Sequence, residues 1–114
     1  MLLRGEIWRV DFGSPRGSEQ GGQRPALIIQ NDTGNSTSST TIIAAITSKS
    51  KVPYPFHVEL SAYESGLRED GTVLLEQLIT ISKSRLINRV GKLSASKMKY
   101  IDRALQVSLG LPTT

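Results

Sequence analysis

Gly17-Ser18-Glu19-Gln20-Gly21-Gly22-Gln23-Arg24-Pro25-Ala26-Leu27-Ile28-Ile29 joins a polar, glycine-rich loop directly to an apolar run. The glycines let the loop backbone take positive φ and let a ligand approach the main chain closely. Pro25 fixes its own φ and biases Arg24 towards an extended conformation, so the guanidinium springs from a stiff point. Pro25–Gln30 is nearly continuous apolar sequence, which predicts a short strand buried on both faces. A polar loop ending in a fixed Arg suits recognition of a phosphate. The plainer reading of the same residues is a solvated surface turn.

Upstream of this stretch, Gly5–Phe12 alternates Trp8, Val10 and Phe12 against Ile7, Arg9 and Asp11, which predicts a strand with one core face. Downstream, Asn31–Thr40 is rich in Ser, Thr, Asn and Gly and reads as a loop. Thr41–Thr47 is β-branched and apolar, a third strand. Lys49–Pro55, with two lysines and two prolines, reads as an exposed irregular loop, and Phe56–Leu60 alternates as a fourth strand. Ser61-Ala62-Tyr63-Glu64-Ser65-Gly66 places a capping Ser three residues before a Glu and ends on Gly, which predicts one helical turn. After Asp70-Gly71 comes the longest strand, Thr72–Ile81, and then Leu86–Leu93. The period then changes: Met98, Ile101, Leu105 and Leu109 form the apolar stripe of an amphipathic helix, capped by Ser94 or Ser96 and stopped by Gly110 and Pro112. Five or six short strands and one terminal helix predict a mainly β fold, a small twisted barrel or half-barrel plus helix. Neither repeats nor linkers interrupt it, so one domain over residues 1–114 is expected.

Bulk properties narrow the chemistry. The chain has no cysteine, which rules out a disulfide framework and thiolate metal sites. Its single histidine and the lack of metal-ligand spacing predict no metal and no cofactor. No stretch has the length of a signal peptide or a membrane span, so a cytoplasmic protein is expected. A net charge of +4 modestly favours polyanionic partners.

Several segments in register sharpen this picture: Arg4-Gly5-Glu6-Ile7-Trp8-Arg9-Val10-Asp11-Phe12, the GSEQGGxRP loop, Ala44-Ala45-Ile46-Thr47, Leu75-Glu76-Gln77-Leu78-Ile79-Thr80-Ile81 and Lys83-Ser84-Arg85-Leu86. In them the chain resembles the MazF/PemK toxins of bacterial toxin–antitoxin pairs, and most of all the Gram-positive-type MazF members, from about Arg4 to about Leu109. The resemblance implies the SH3-like barrel of the MazF/PemK/CcdB fold in a symmetric homodimer. It also implies a metal-independent endoribonuclease that cuts single-stranded mRNA. Attack by the substrate's own 2′-hydroxyl would leave a 2′,3′-cyclic phosphate and a 5′-hydroxyl. A cognate MazE-like antitoxin is implied too, its acidic C-terminal segment lying across the basic groove.

Such an enzyme must supply in-line geometry, stabilisation of an anionic phosphorane, and proton movement at both ends. Arg24 matches the family's catalytic Arg, and its planar fork of donors suits a phosphorane better than the point charge of a lysine. Electrostatic stabilisation is the role assigned to it, because a guanidinium is hard to deprotonate. Thr47 matches the second catalytic position, its hydroxyl on a side chain stiff at χ1, with Ser48 beside it as the alternative hydroxyl. Glu19 is open to three roles: general base, partner of Arg24, or acceptor from a base edge. Ser18 and Gln20 share its loop and are RNA-binding candidates. Gln77 matches a family position implicated in RNA contact, although an alternating strand also explains it, and period two sends Glu76 to the opposite face. Phe56, beside the Lys49–Pro55 loop, is a candidate for base stacking. That loop fits a lid over RNA or a docking segment for antitoxin. His57 reads as a partly exposed strand residue on the side of Glu59, and Trp8 as core. The competing reading is a non-enzymatic CcdB-like gyrase poison on the same fold. The ribonuclease-type loop and an ending in Leu-Pro-Thr-Thr, without terminal aromatic residues, count against it.

Overall fold

The computed structural model describes residues 1–13, 21–48 and 52–112. Among them run six strands, β1 (Glu6–Asp11), β2 (Gln23–Ile28), β3 (Thr40–Thr47), β4 (His57–Leu60), β5 (Gly71–Ser82) and β6 (Leu86–Lys92). Three helices join them: α1 (Asp32–Thr37), α2 (Ala62–Ser65) and α3 (Ala95–Leu109). The strands form one antiparallel sheet in the order β4-β5-β3-β2-β1-β6. α2 follows edge strand β4 yet packs against the other edge strand, β6, so the sheet is curled into a half-barrel. No helix among the described residues is long and apolar enough to cross a membrane.

Both faces of the sheet are packed, whereas the alternation in β1 predicts only one core face. Ile7, Leu27, Ala44, Ile46, Val73 and Leu75 gather on one side under Ile101 and Ala104 of α3. Val10, Ala26, Ile28, Ile43 and Ile81 gather on the other, joined by Trp8 and Phe12. β2 therefore alternates between two apolar environments, as its unbroken hydrophobic run requires, and each fully buried Leu or Ile contributes about 1.5–3 kcal/mol. β5 changes sides midway. Ala45 pairs with Leu74 but Ala44 with Leu78, leaving Leu75, Glu76 and Gln77 without counterparts on β3. An odd insertion inverts the alternation, so Val73 and Leu75 face the first core while Ile79 and Ile81 face the second.

The caps follow from local sequence. Ser61 and Glu64 complete both halves of a capping box on α2, and Gly66 ends it in a left-handed conformation. The Ser61 N–H on the Glu64 carboxylate holds that group's pKa below the ordinary carboxylate value. Ser94, rather than Ser96, caps α3 by accepting from Lys97 N, and Gly110 ends the helix. α1 corrects the loop expected over Asn31–Thr40. Asn31 caps it by accepting from Gly34 N at 2.7 Å. Its centre is the buried Asn35, whose amide donates to Gln30 O and Asp32 Oδ1 and accepts from the Thr41 hydroxyl at 2.8 Å. Lys83 Nζ donates to Asn35 O from the β5–β6 connection. Polar residues that favour turns in isolation here form a satisfied tertiary network.

Candidate active site

The site begins with strand register. Ala26 on β2 pairs with Ala45 on β3, and Arg24 and Thr47 each lie two residues further towards the same end of the sheet. Arg24 pairs with Val10 on β1, so it is held in the ladder close to the start of β2. The connection between β1 and β2 is pinned at its base. Phe12 N donates to Gly22 O at 2.9 Å, and Gly22 N to Gly13 O at 2.7 Å.

A cavity of about 490 Å³ opens at these strand ends, lined by Arg24, Pro25, Ile46, Thr47 and Ser48. Arg9 of β1 and Asn88, Arg89 and Val90 of β6 form a second wall. The α2–β5 connection, Gly66 to Asp70, forms the third. Thr47 is buried and Ser48 exposed, so of the two hydroxyl candidates Thr47 is the one fixed by packing. Four arginines, Arg9, Arg24, Arg68 and Arg89, thus share a cavity with two carboxylates, Glu69 and Asp70. Asp70 Oδ1 is already engaged by Ala62 N at 2.8 Å. The side chains of Arg9, Arg24 and Arg68 have no hydrogen-bond or ion-pair partner among the described residues. Arg89 Nε lies 3.6 Å from the buried Glu6 carboxylate. Guanidiniums that line one cavity without ion-pair partners suit anions with several oxygens. Among the described residues no group of three His, Cys, Asp or Glu side chains is placed to hold a metal ion.

The structure therefore brings Arg24, Thr47 and Ser48 together. Phe56 and Gln77 do not line this cavity. Phe56 stacks on Tyr54, with ring centroids 5.1 Å apart, and its carbonyl accepts from Leu75 N. Gln77 belongs to the insertion in β5 described above. Ser18, Glu19, Gln20, Lys49 and Lys51 lie outside the described residues. His57 departs from its expected setting. Its side chain is only 6% exposed, and Nε2 bonds the Glu76 carboxylate of β5 at 2.9 Å rather than keeping company with Glu59. The β4–β5 pairing explains this, because His57 faces Leu74 and so stands close to the insertion. Sequence reading passed over Arg9, Arg68, Asn88 and Arg89. Each stands on a different strand or turn from Arg24, and only the sheet order brings them together.

Comparison with known proteins identifies the family of the chain and its fold. Residues 3–109 match the family described as PemK-like, MazF-like toxin of type II toxin–antitoxin system. The chain is 46% identical to the endoribonuclease MazF of Staphylococcus saprophyticus, over 99% of this chain and 95% of that protein. A mycobacterial endoribonuclease solved in complex with its cognate antitoxin superposes with a TM-score of 0.85 at 26% identity, covering all of both chains. MazF from Deinococcus radiodurans superposes with a TM-score of 0.81 at 27% identity, over 96% of this chain and 97% of that one.

Proposed function

The chain belongs to the PemK-like, MazF-like toxins of type II toxin–antitoxin systems, and from that membership we propose that Arg24 and Thr47 cut single-stranded RNA in the arginine-lined cavity. It is an endoribonuclease toxin, in keeping with its 46% identity to a protein of that activity. One observation carries the residue assignment. The positions matching the family's catalytic pair face one cavity from adjacent strands, and the Arg24 guanidinium has no counter-ion among the described residues. In the reaction the substrate's 2′-oxygen attacks phosphorus, the bond to the 5′-oxygen breaks, and a proton passes from the first oxygen to the second. Arg24 stabilises the charge gathering on the non-bridging oxygens, and Thr47 donates a hydrogen bond to one of them. Glu19 is assigned the proton from the 2′-hydroxyl. Its loop is anchored at Gly13 and Gly22, two residues before Arg24. Ser18 and Gln20 of that loop, with Ser48, Phe56 and Gln77, are assigned contacts to the flanking nucleotides.

The toxin domain spans residues 1–114, acts in the cytoplasm as a homodimer, and needs neither metal nor cofactor. Relatives have been solved with their antitoxins, and an acidic antitoxin segment would find the same guanidiniums as the RNA. Product-end analysis tests the reading. Single-stranded RNA incubated with the protein in EDTA should yield 5′-hydroxyl fragments, which a polynucleotide kinase labels without prior dephosphorylation, and 2′,3′-cyclic phosphates. Fragments with 5′-phosphates, or cleavage abolished by EDTA and restored by Mg²⁺, would overturn the mechanism. Intact RNA would return the CcdB-like reading to favour.

A further inference from the structure

Arg9 is held from both sides: on β1 it faces Pro25 of β2 and Asn88 of β6. Its side chain is partly buried, lines the cavity, and has no hydrogen-bond or ion-pair partner among the described residues. The acids of its own strand are committed elsewhere. Glu6 Oε1 accepts from Leu3 N at 2.9 Å and Trp8 Nε1 at 3.1 Å, and Oε2 lies beside Arg89. Asp11 Oδ1 accepts from Gly13 N. The amide of Asn88 makes only a 3.4 Å contact to Arg89 O, which leaves it able to share a ligand with Arg9. A guanidinium held between two strands, facing a cavity and without an ion-pair partner among the described residues, is free to take up an anion.

We propose that Arg9, with Asn88 beside it, binds a second backbone phosphate of the RNA, adjacent to the one cut at Arg24. The inference rests on the ribonuclease reading above and adds a positioning site to it. The β1–β2 ladder sets Val10 against Arg24 and Arg9 against Pro25, so the two arginines are one pair apart. The pleat starts their side chains from opposite faces, and both reach the cavity, so their guanidiniums meet a passing strand at separate points. The volume agrees: a phosphate is only a few times the roughly 30 Å³ share of one water, whereas the cavity holds about 490 Å³. The phosphate at Arg9 does not change charge during the reaction. Arg9 therefore strengthens substrate and transition state equally and fixes where along the strand the cut falls.

The test is a salt titration of binding to a short, labelled, mixed-sequence single-stranded RNA carrying 2′-fluoro groups, which lacks the nucleophile. Arg9→Ala should weaken binding roughly ten-fold at low salt. It should also reduce the slope of log affinity against log salt by about 0.7, the increment for one phosphate on a single strand. Arg9→Lys should keep the slope, and Asn88→Ala should weaken binding without changing it. In cleavage of unmodified RNA, Arg9→Ala should raise KM roughly ten-fold and leave kcat within about two-fold. A misfolded variant would instead lower kcat and the melting temperature together. Cleavage by Arg9→Ala with unaltered slope and KM would overturn the second phosphate site and leave the ribonuclease reading standing. A wild-type protein that shows the Arg9-dependent slope but cuts no RNA would do the reverse.

Discussion

The backbone carbonyl of Ser65 closes against Gly91 so tightly that a Cβ on residue 91 would overlap it. Gly66 makes the same approach from the other side: at φ 81° its Cβ would stand 2.5 Å from the carbonyl oxygen of Val90. The left-handed end of α2 and edge strand β6 therefore meet backbone to backbone. Gly66 and Val90 both line the arginine-rich cavity. These backbone approaches bring α2 onto β6 and shape one wall of the site.

Gly91→Ala should be strongly destabilising for that reason. The clash is with main chain and has no flexible neighbour to absorb it, so a loss near the upper end of the roughly 1–3 kcal/mol range for overpacking is expected. Thermal unfolding reads this directly, at roughly 4 °C per kcal/mol for a domain of this size. A melting temperature unchanged from wild type would mean that α2 does not close the sheet.

Ile101 is fully buried under the first core, whereas Tyr63 is fully exposed. Ile101→Ala should cost about 2–5 kcal/mol, while Tyr63→Ala should stay within about 0.5 kcal/mol. Equal effects in denaturant unfolding would contradict the packing of α3 on the sheet.

Glu64 gives the fold an acid-sensitive element. Its folded pKa lies below the ordinary 4.5, chiefly because of the Ser61 N–H. Its stabilising contribution is therefore complete above the unfolded pKa and disappears as pH falls through the depressed folded value. Glu64→Gln keeps a capping oxygen but cannot titrate. Wild type should be the more stable by less than about 1 kcal/mol at neutral pH. That advantage should persist from neutral pH down to the ordinary carboxylate range and vanish below it. Melting curves of the two proteins across this range check it, and a gap that stays constant with pH would refute the assignment.

Strands, caps and the terminal helix were legible in the sequence because their signals are local: alternation in β1, the Ser61–Glu64 box, the stripe through Ile101 and Leu105. α1 was not, because Asn35 is stabilised by Gln30, Thr41 and Lys83 rather than by helix propensity. Nor was the reversal of faces along β5, since an insertion opposite β3 leaves no mark on β5's own apolar pattern. Motif likeness marked Arg24 and Thr47. Arg9, Arg68 and Arg89 went unmarked because their meeting depends on the sheet order β2-β1-β6 and on α2 folding back over that edge.

Thr47 is buried at the end of β3, so its hydroxyl can be removed without opening a void by Thr47→Val. If that hydroxyl donates to the phosphorane, kcat should fall roughly 10²- to 10³-fold, as on losing one oxyanion donor, while Thr47→Ser retains most of the rate. Single-turnover cleavage with a melting curve for each variant separates chemistry from folding. Full activity in Thr47→Val would move the donor role to Ser48.

The most direct test of the central claim is single-turnover cleavage of one defined RNA by wild type, Arg24→Lys and Arg24→Ala, each shown by thermal melting to be folded. A bidentate guanidinium acting on transition-state charge predicts a loss of roughly 10²–10³ in both variants. Lysine should not rescue the rate, because it carries the charge without the fork. Near-wild-type turnover by folded Arg24→Lys would contradict the bidentate role, and near-wild-type turnover by folded Arg24→Ala would remove the reaction from this cavity.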